Sequence, residues 1–369
     1  MTFKQTLLCA IAGAAIIAAA APAGARDLLS VHSGKPNAQG FAPKFAVIKH
    51  LTPNMQVQRP AGAPTWVFSY TYGGKTFNET FVGTAASGGG STTIPVYLVP
   101  VKMVYGSYAY DPTVVTANGV SVVQNVLNSP VLSSTVDFTS GSVDLGTTQY
   151  IDAYQRGNLW GTVSAHPSYH VLLGTPTVLP VQTLTIPTRN GKIINAFGAT
   201  NLIMANINNF DTAAKGYIRS LGIPSNALPL FITTQTYLSS GNTTATCCIG
   251  GYHSVSSSGQ PYAHATYITK AGAFAQDVSA LSHEIGEYVD DPQTNNPVPS
   301  ACGSGAVLEN GDPLEGNANY GDYAYTVNGV TWNLQDLVYL PYFGAPTSTS
   351  ANGFSTFQGE TIAFCSNGG

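Results

Sequence analysis

The stretch Ser282-His283-Glu284-Ile285-Gly286-Glu287-Tyr288-Val289-Asp290-Asp291-Pro292 decides how the rest of the chain is read. Residues four apart on a helix stand one above the other. His283 and Glu287 therefore project from one face, with Glu284 beside them. This is the spacing of an H-E-x-x-H helix, which offers two metal ligands and a general base, with glutamate here in the second histidine position. Val278, Leu281, Ile285, Tyr288 and Val289 recur near helical spacing as an apolar stripe, and His283, Glu284, Glu287 and Asp291 lie off it. Asp277 is the expected N-cap. Asp291-Pro292 is the expected stop, because a residue before proline avoids the helical region. Gly286 in the interior costs about 1 kcal/mol against alanine, which predicts close approach by a neighbouring backbone.

The chain has six glutamates, and four of them fall between 284 and 315. With charged residues at 9%, that clustering needs a cause. The alternative to a metal site is a solvated acidic helix face followed by an acidic loop. His166-Pro-Ser-Tyr-His170 also places histidines four apart, but no glutamate accompanies them, and histidines satisfied at a turn are the better reading.

Apolar residues make up 44% of the chain, so composition does not predict disorder. A formal net charge of −4 with 14 Lys plus Arg gives no footprint for nucleic acid. Residues 1–25 read as a secretory signal, with Lys4, an apolar run from Leu7 to Ala21, and an Ala23-Gly24-Ala25 cleavage site before Arg26. That run is too short to span a bilayer stably. The product is expected to be secreted or periplasmic, with no membrane anchor after processing. Cys247, Cys248, Cys302 and Cys365 remain, and an even count in an exported chain favours disulfides. Adjacent cysteines rarely bridge each other, so Cys247 and Cys248 are each expected to join Cys302 or Cys365. Without a C-x-x-C pair, a cysteine zinc site is disfavoured.

From Arg26 to about Gly90 the chain reads as β-rich and irregular, with a hairpin of 65–72 and 75–82 around Gly73-Gly74. Thr93 to Tyr105 is a strong strand signal whose Pro95 and Pro100 argue for an edge or bulged strand. Thr147 to Trp160 and Asp211 to Leu221 read as helices, the second with Asp211 near its N-cap. Ala227 to Tyr237 reads as a strand, and 247–255 and 262–270 as a hairpin directly before the H-E-x-x-E helix.

That order, together with the motif, resembles the zincin metalloproteases. The span from Gly250-Gly251-Tyr252-His253-Ser254 through the helix is also similar to secreted bacterial proteins in which H-E-x-x-E precedes an acidic loop. The resemblance implies an α+β fold, with a β-rich N-terminal part and a zincin-like mixed sheet backing the active-site helix. It also implies an edge strand lining the substrate cleft. The corresponding division is 26–175 for the β-rich region, which can belong to the same unit, and 176–369 for the metal-binding domain. Carried over by position, it makes His283 and Glu287 ligands and Glu284 the base. A third ligand must come from Leu308-Glu309-Asn310-Gly311-Asp312-Pro313-Leu314-Glu315, where Glu309 and Asp312 are the candidates. Glu315 comes next, with Asp322 and Asp336 more remote. Zn²⁺ is the expected cofactor; two carboxylates beside one imidazole also suit Mn²⁺ or another divalent cation. The expected activity is zinc peptidase action on a peptide or protein substrate. Tyr320, Tyr323, Tyr325, His253 and His264 are individually more often structural than catalytic. No G-x-S-x-G is present, and pairing Glu284 with Glu309 for glycoside hydrolysis would leave the His283–Glu287 spacing unused. From another class, the rival is a non-catalytic secreted surface, adhesive or structural protein on a zincin-like scaffold. The sequence sets no oligomeric state.

Overall fold

The structure, a computed structural model, describes residues 26–51, 63–116, 118–299, 307–340, 342 and 350–361. The expected signal segment and both Cys302 and Cys365 lie outside these residues. Among the described residues no helix is long and apolar enough to cross a membrane.

The strands and helices that position the site are, in order, β1 (Arg26–Ser33), β2 (Lys44–Leu51), β3 (Val96–Tyr105), α1 (Tyr150–Asn158), β4 (Gly191–Ala196), β5 (Ala199–Asn206), α2 (Ile207–Ser220), β6 (Leu228–Thr234), β7 (Thr236–Ser239), β8 (Cys247–Val255), β9 (Pro261–Tyr267), α3 (Ser279–Asp290), β10 (Asp322–Val327) and β11 (Val330–Gln335). β1 to β9 belong to a mixed, 12-stranded sheet whose main path runs β3-β6-β9-β8-β7-β5-β4, while β10 and β11 pair with each other as a separate antiparallel two-stranded sheet. β3, β6 and β9 are parallel, and β8 runs antiparallel to both β9 and β7. β2 lies parallel to β8 along residues 249–254, and β1 pairs antiparallel with β2. With few helices set against a curled sheet, the fold is α+β. Strands from both sides of residue 175 hydrogen-bond within this sheet.

Helices cover both faces, which is why β6 is buried at every position and reads as a near-continuous apolar run. Leu228, Leu230 and Ile232 join the core that contains Leu281, Ile285 and Val289 of α3. Phe231 points the other way, into the core with Phe210, Ala214 and Ile218 of α2. The same alternation along β8 turns Tyr252 toward α2 and leaves Gly251 and His253 facing α3.

The hairpin of 65–72 and 75–82 forms as the pattern predicts. Other expectations are corrected. β3 is an interior strand: β6 flanks one side, while Thr177–Val178 and Gln182–Thr185 flank the other. Pro100 is tolerated because it falls between those two short partners, where the ladder is already interrupted. α2 begins four residues before Asp211, capped by Asn206, whose side chain accepts from the Asn208 and Asn209 amides. The strand over 227–237 breaks at Gln235, which has φ 51°. Asp277 does not cap α3; its carboxylate accepts instead from the Asn333 amide at 2.9 Å and so ties β11 to the helix start. Gly286 is crowded by the Leu337 side chain, not by backbone, since an added Cβ would lie 2.4 Å from a Leu337 methyl. Cys247 and Cys248 are bonded to each other, against expectation. Their peptide bond is cis and their Cα atoms lie 3.1 Å apart.

Candidate metal centre

α3 forms where the periodicity places it and stops before Pro292. All 12 of its residues are buried, on the polar face as well as the apolar one. Solvation therefore does not explain its acids. The polar face meets β8 on one side and, on the other, the loop carrying Glu309, Asp312 and Glu315.

His283 Nε2 lies 3.0 Å from Glu287 Oε1 and 3.5 Å from Asp312 Oδ1. His253, from β8, sets Nδ1 3.3 Å from Glu287 Oε2 and 3.4 Å from Glu284 Oε2. Glu309 groups with His253 and Glu287, all three within 4.8 Å by their ligating atoms. His32 of β1 reaches in from the half-open side, with Nδ1 2.5 Å from Glu315 Oε2. These contacts leave much unsatisfied: His283 Nε2, both ring nitrogens of His253, both oxygens of Glu284, Glu309 Oε1, Asp312 Oδ1 and Glu315 Oε1 are buried without a hydrogen bond. A buried polar atom left unpaired costs roughly 1–3 kcal/mol. So many in one buried cluster, gathered in overlapping groups that share Glu287 and Asp312 with their neighbours, could hold a cation. Donors around one ion at about 2.0–2.1 Å stand roughly 3.3 Å from one another, which the His283–Glu287 and His283–Asp312 separations bracket.

Burial sets the electrostatics. It pushes Glu287 up to about 7, Asp312 to about 6 and Glu315 to about 8. Glu284 and Glu309 also rise well above the carboxylate range, through burial first and then the neighbouring Glu287. Burial lowers His283 to about 4 despite the opposing pull of Asp312, so its imidazole is neutral and able to ligate. His32 feels the same desolvation, but Asp312 and Glu315 outweigh it and raise it to about 10.

The supporting contacts are specific. Gln335 donates its amide to the Tyr320 carbonyl at 2.9 Å, which turns its oxygen to His283 Nδ1. The ring proton is thereby held on Nδ1 and Nε2 is left bare toward the carboxylates. Asn310 donates to Asp290 Oδ2 at 2.9 Å and to the Tyr154 hydroxyl at 3.0 Å, pinning the acidic loop to α3 and α1. Gly311 lets that loop pass the histidine, since a Cβ there would sit 2.2 Å from His283 Nδ1. Gly251 gives Glu284 its place, with a Cβ falling 2.4 Å from Glu284 Oε1. Phe45 of β2 stacks on the His283 ring at 3.5 Å. Replacing Gln335 with leucine, which keeps the volume but not the acceptor, is expected to weaken metal affinity about 10–100-fold. Competition with a chromophoric chelator measures this, and unchanged affinity would remove Gln335 from the site.

His283, Glu284, Glu287, Glu309 and Asp312 are thus brought together, and Glu315 stands at the margin. Asp336 is elsewhere, accepting backbone amides from Leu337, Gln358 and Glu360, and Asp322 pairs with Ser279. Tyr323 packs on Tyr150, and the Tyr325 hydroxyl donates to the Asp137 carbonyl. His264 faces α2 and meets Thr233. His170 contacts Asp152 at 2.9 Å from a strand, and no helix joins it to His166. His32, His253, Gly251, Gly311 and Gln335 were not marked as site residues by sequence. For His253 the usable signal was its two-residue spacing from Gly251 on a strand next to the motif helix. Comparison with protein-family models, curated proteins and solved structures finds no match.

Proposed function

We propose that the protein is a metal-dependent hydrolase, with the peptide bond as its target by resemblance to the zincins. What carries this reading is the convergence of unpartnered, buried donors around His283 Nε2, with both Glu284 oxygens free beside them. His283, Glu287 and Asp312 would hold the ion; Asp312 is preferred to Glu309 because its carboxylate stands 3.5 Å from the same ring nitrogen that faces Glu287. A divalent cation there supplies Lewis acidity and lowers the pKa of water. Glu284 accepts the proton from the attacking water and delivers it to the leaving amine. Gln335 keeps His283 in the ligating tautomer, and Gly251 makes room for the Glu284 side chain.

One observation favours the non-catalytic reading. β2 already fills the outer edge of β8 along 249–254, where the zincin resemblance would lay the substrate. A bound ion would then serve as a buried staple. The test is hydrolysis of an unfolded protein by the purified mature chain, with metal content measured on the same sample. Chelation should abolish cleavage, and Zn²⁺ or Mn²⁺ should restore it. Stoichiometric metal without cleavage would establish the staple and overturn the hydrolase.

A further inference from the structure

Glu287 turns its two oxygens to two different imidazoles, Oε1 to His283 at 3.0 Å and Oε2 to His253 at 3.3 Å. We propose that the site is dinuclear: Glu287 bridges, and a second divalent cation sits between His253, Glu287 Oε2 and Glu309. This deepens the hydrolase reading and rests on it for the first cation.

His253 supplies the first support. It is 2% exposed, and neither ring nitrogen has a hydrogen-bond partner. Buried imidazoles in stable folds donate or accept at one nitrogen at least, so a histidine with both bare, beside two carboxylates, has the surroundings of a ligand. Glu309 is the second: its Oε1 is also buried and unpartnered, and its ligating atoms fall within 4.8 Å of His253 and Glu287. Charge is the third. Glu284, Glu287, Glu309, Asp312 and Glu315 are all buried. With all five ionised, one divalent cation and a protonated His32 against Glu315 leave two negative charges for protons to neutralise, whereas a second cation brings the sum to zero. Paired cations about 3.5–4 Å apart sharing a carboxylate are a recurrent hydrolytic arrangement. One imidazole with two carboxylates at each position suits Zn²⁺ or Mn²⁺.

The experiment loads the mature protein with Mn²⁺, removes free ion by gel filtration, and reads metal per chain together with the electron paramagnetic resonance spectrum. Two equivalents with an exchange-coupled spectrum are expected. Glu309→Gln and His253→Asn should each fall to one equivalent and give an uncoupled spectrum, with circular dichroism confirming that each variant is folded. One equivalent in the parent, or two uncoupled ions, overturns the proposal, and so do folded variants that both keep two coupled ions. One equivalent with cleavage intact sinks the second site and spares the hydrolase. Two coupled ions without cleavage do the reverse.

Discussion

Glu284→Gln is expected to lower hydrolysis by about 10² to 10⁴-fold while the protein keeps its metal. The amide matches the carboxylate in shape, so it fits the space that Gly251 leaves, and it removes only the ability to take a proton. Folding should not suffer. Glu284 is buried beside Glu287 with both oxygens unpartnered, and a neutral side chain relieves that like-charge contact, so the melting temperature should hold or rise. Initial rates on an unfolded protein and metal analysis of the same preparation check both halves. A variant that cleaves like its parent removes Glu284 from the chemistry. A variant that loses activity and metal together makes Glu284 a ligand, and the base must then be sought elsewhere.

Local patterns carried much of the fold in sequence, and contacts across long separations carried the rest. The 65–82 hairpin, β6 and α3 were legible because alternation, a short apolar run and a helical period mark them, respectively, within a few residues. β2 was not, because its partner β8 lies about 200 residues away and its role is set by that pairing. The caps failed for a related reason. Asp277 has the chemistry of a cap, but a partner on β11, Asn333, claims its carboxylate. At the site, His283, Glu284 and Glu287 shared one helical face and could be grouped by spacing. Glu309 and Asp312 could be named ahead of Glu315 but not separated, since a loop has no period from which to infer direction. What separates them is the 3.5 Å approach of Asp312 to His283 Nε2, on a loop that Asn310 and Gly311 seat against α3. Gln335 was invisible, because nothing in a glutamine announces which histidine it will orient.

Metal removal should destabilise the protein strongly at pH 8 and little at pH 5. In the metal-free fold, Asp312, Glu287 and Glu315 have values raised to about 6, 7 and 8, chiefly by burial. The folded state then holds protons that the unfolded chain has released, so stability is present below the ordinary carboxylate range and lost as pH rises through 6 to 8. His32, raised to about 10, acts in the same direction. His283, lowered to about 4, acts oppositely below its ordinary value of 6.5 and offsets only part of the fall there. With cations bound the carboxylates are ionised in the fold and the sign reverses. Metal at about 1,000 times its dissociation constant stabilises by roughly 4 kcal/mol. At about 2 °C per kcal/mol for a chain of this size, chelation should cost about 8 °C at pH 8. At pH 5, where protons replace the ions, the loss should be within about 2 °C on the same scale. Thermal melts with and without chelator at the two pH values decide the matter. Equal losses at both would mean that the buried acids do not exchange protons for metal, and no loss at either would mean that they do not hold a cation at all.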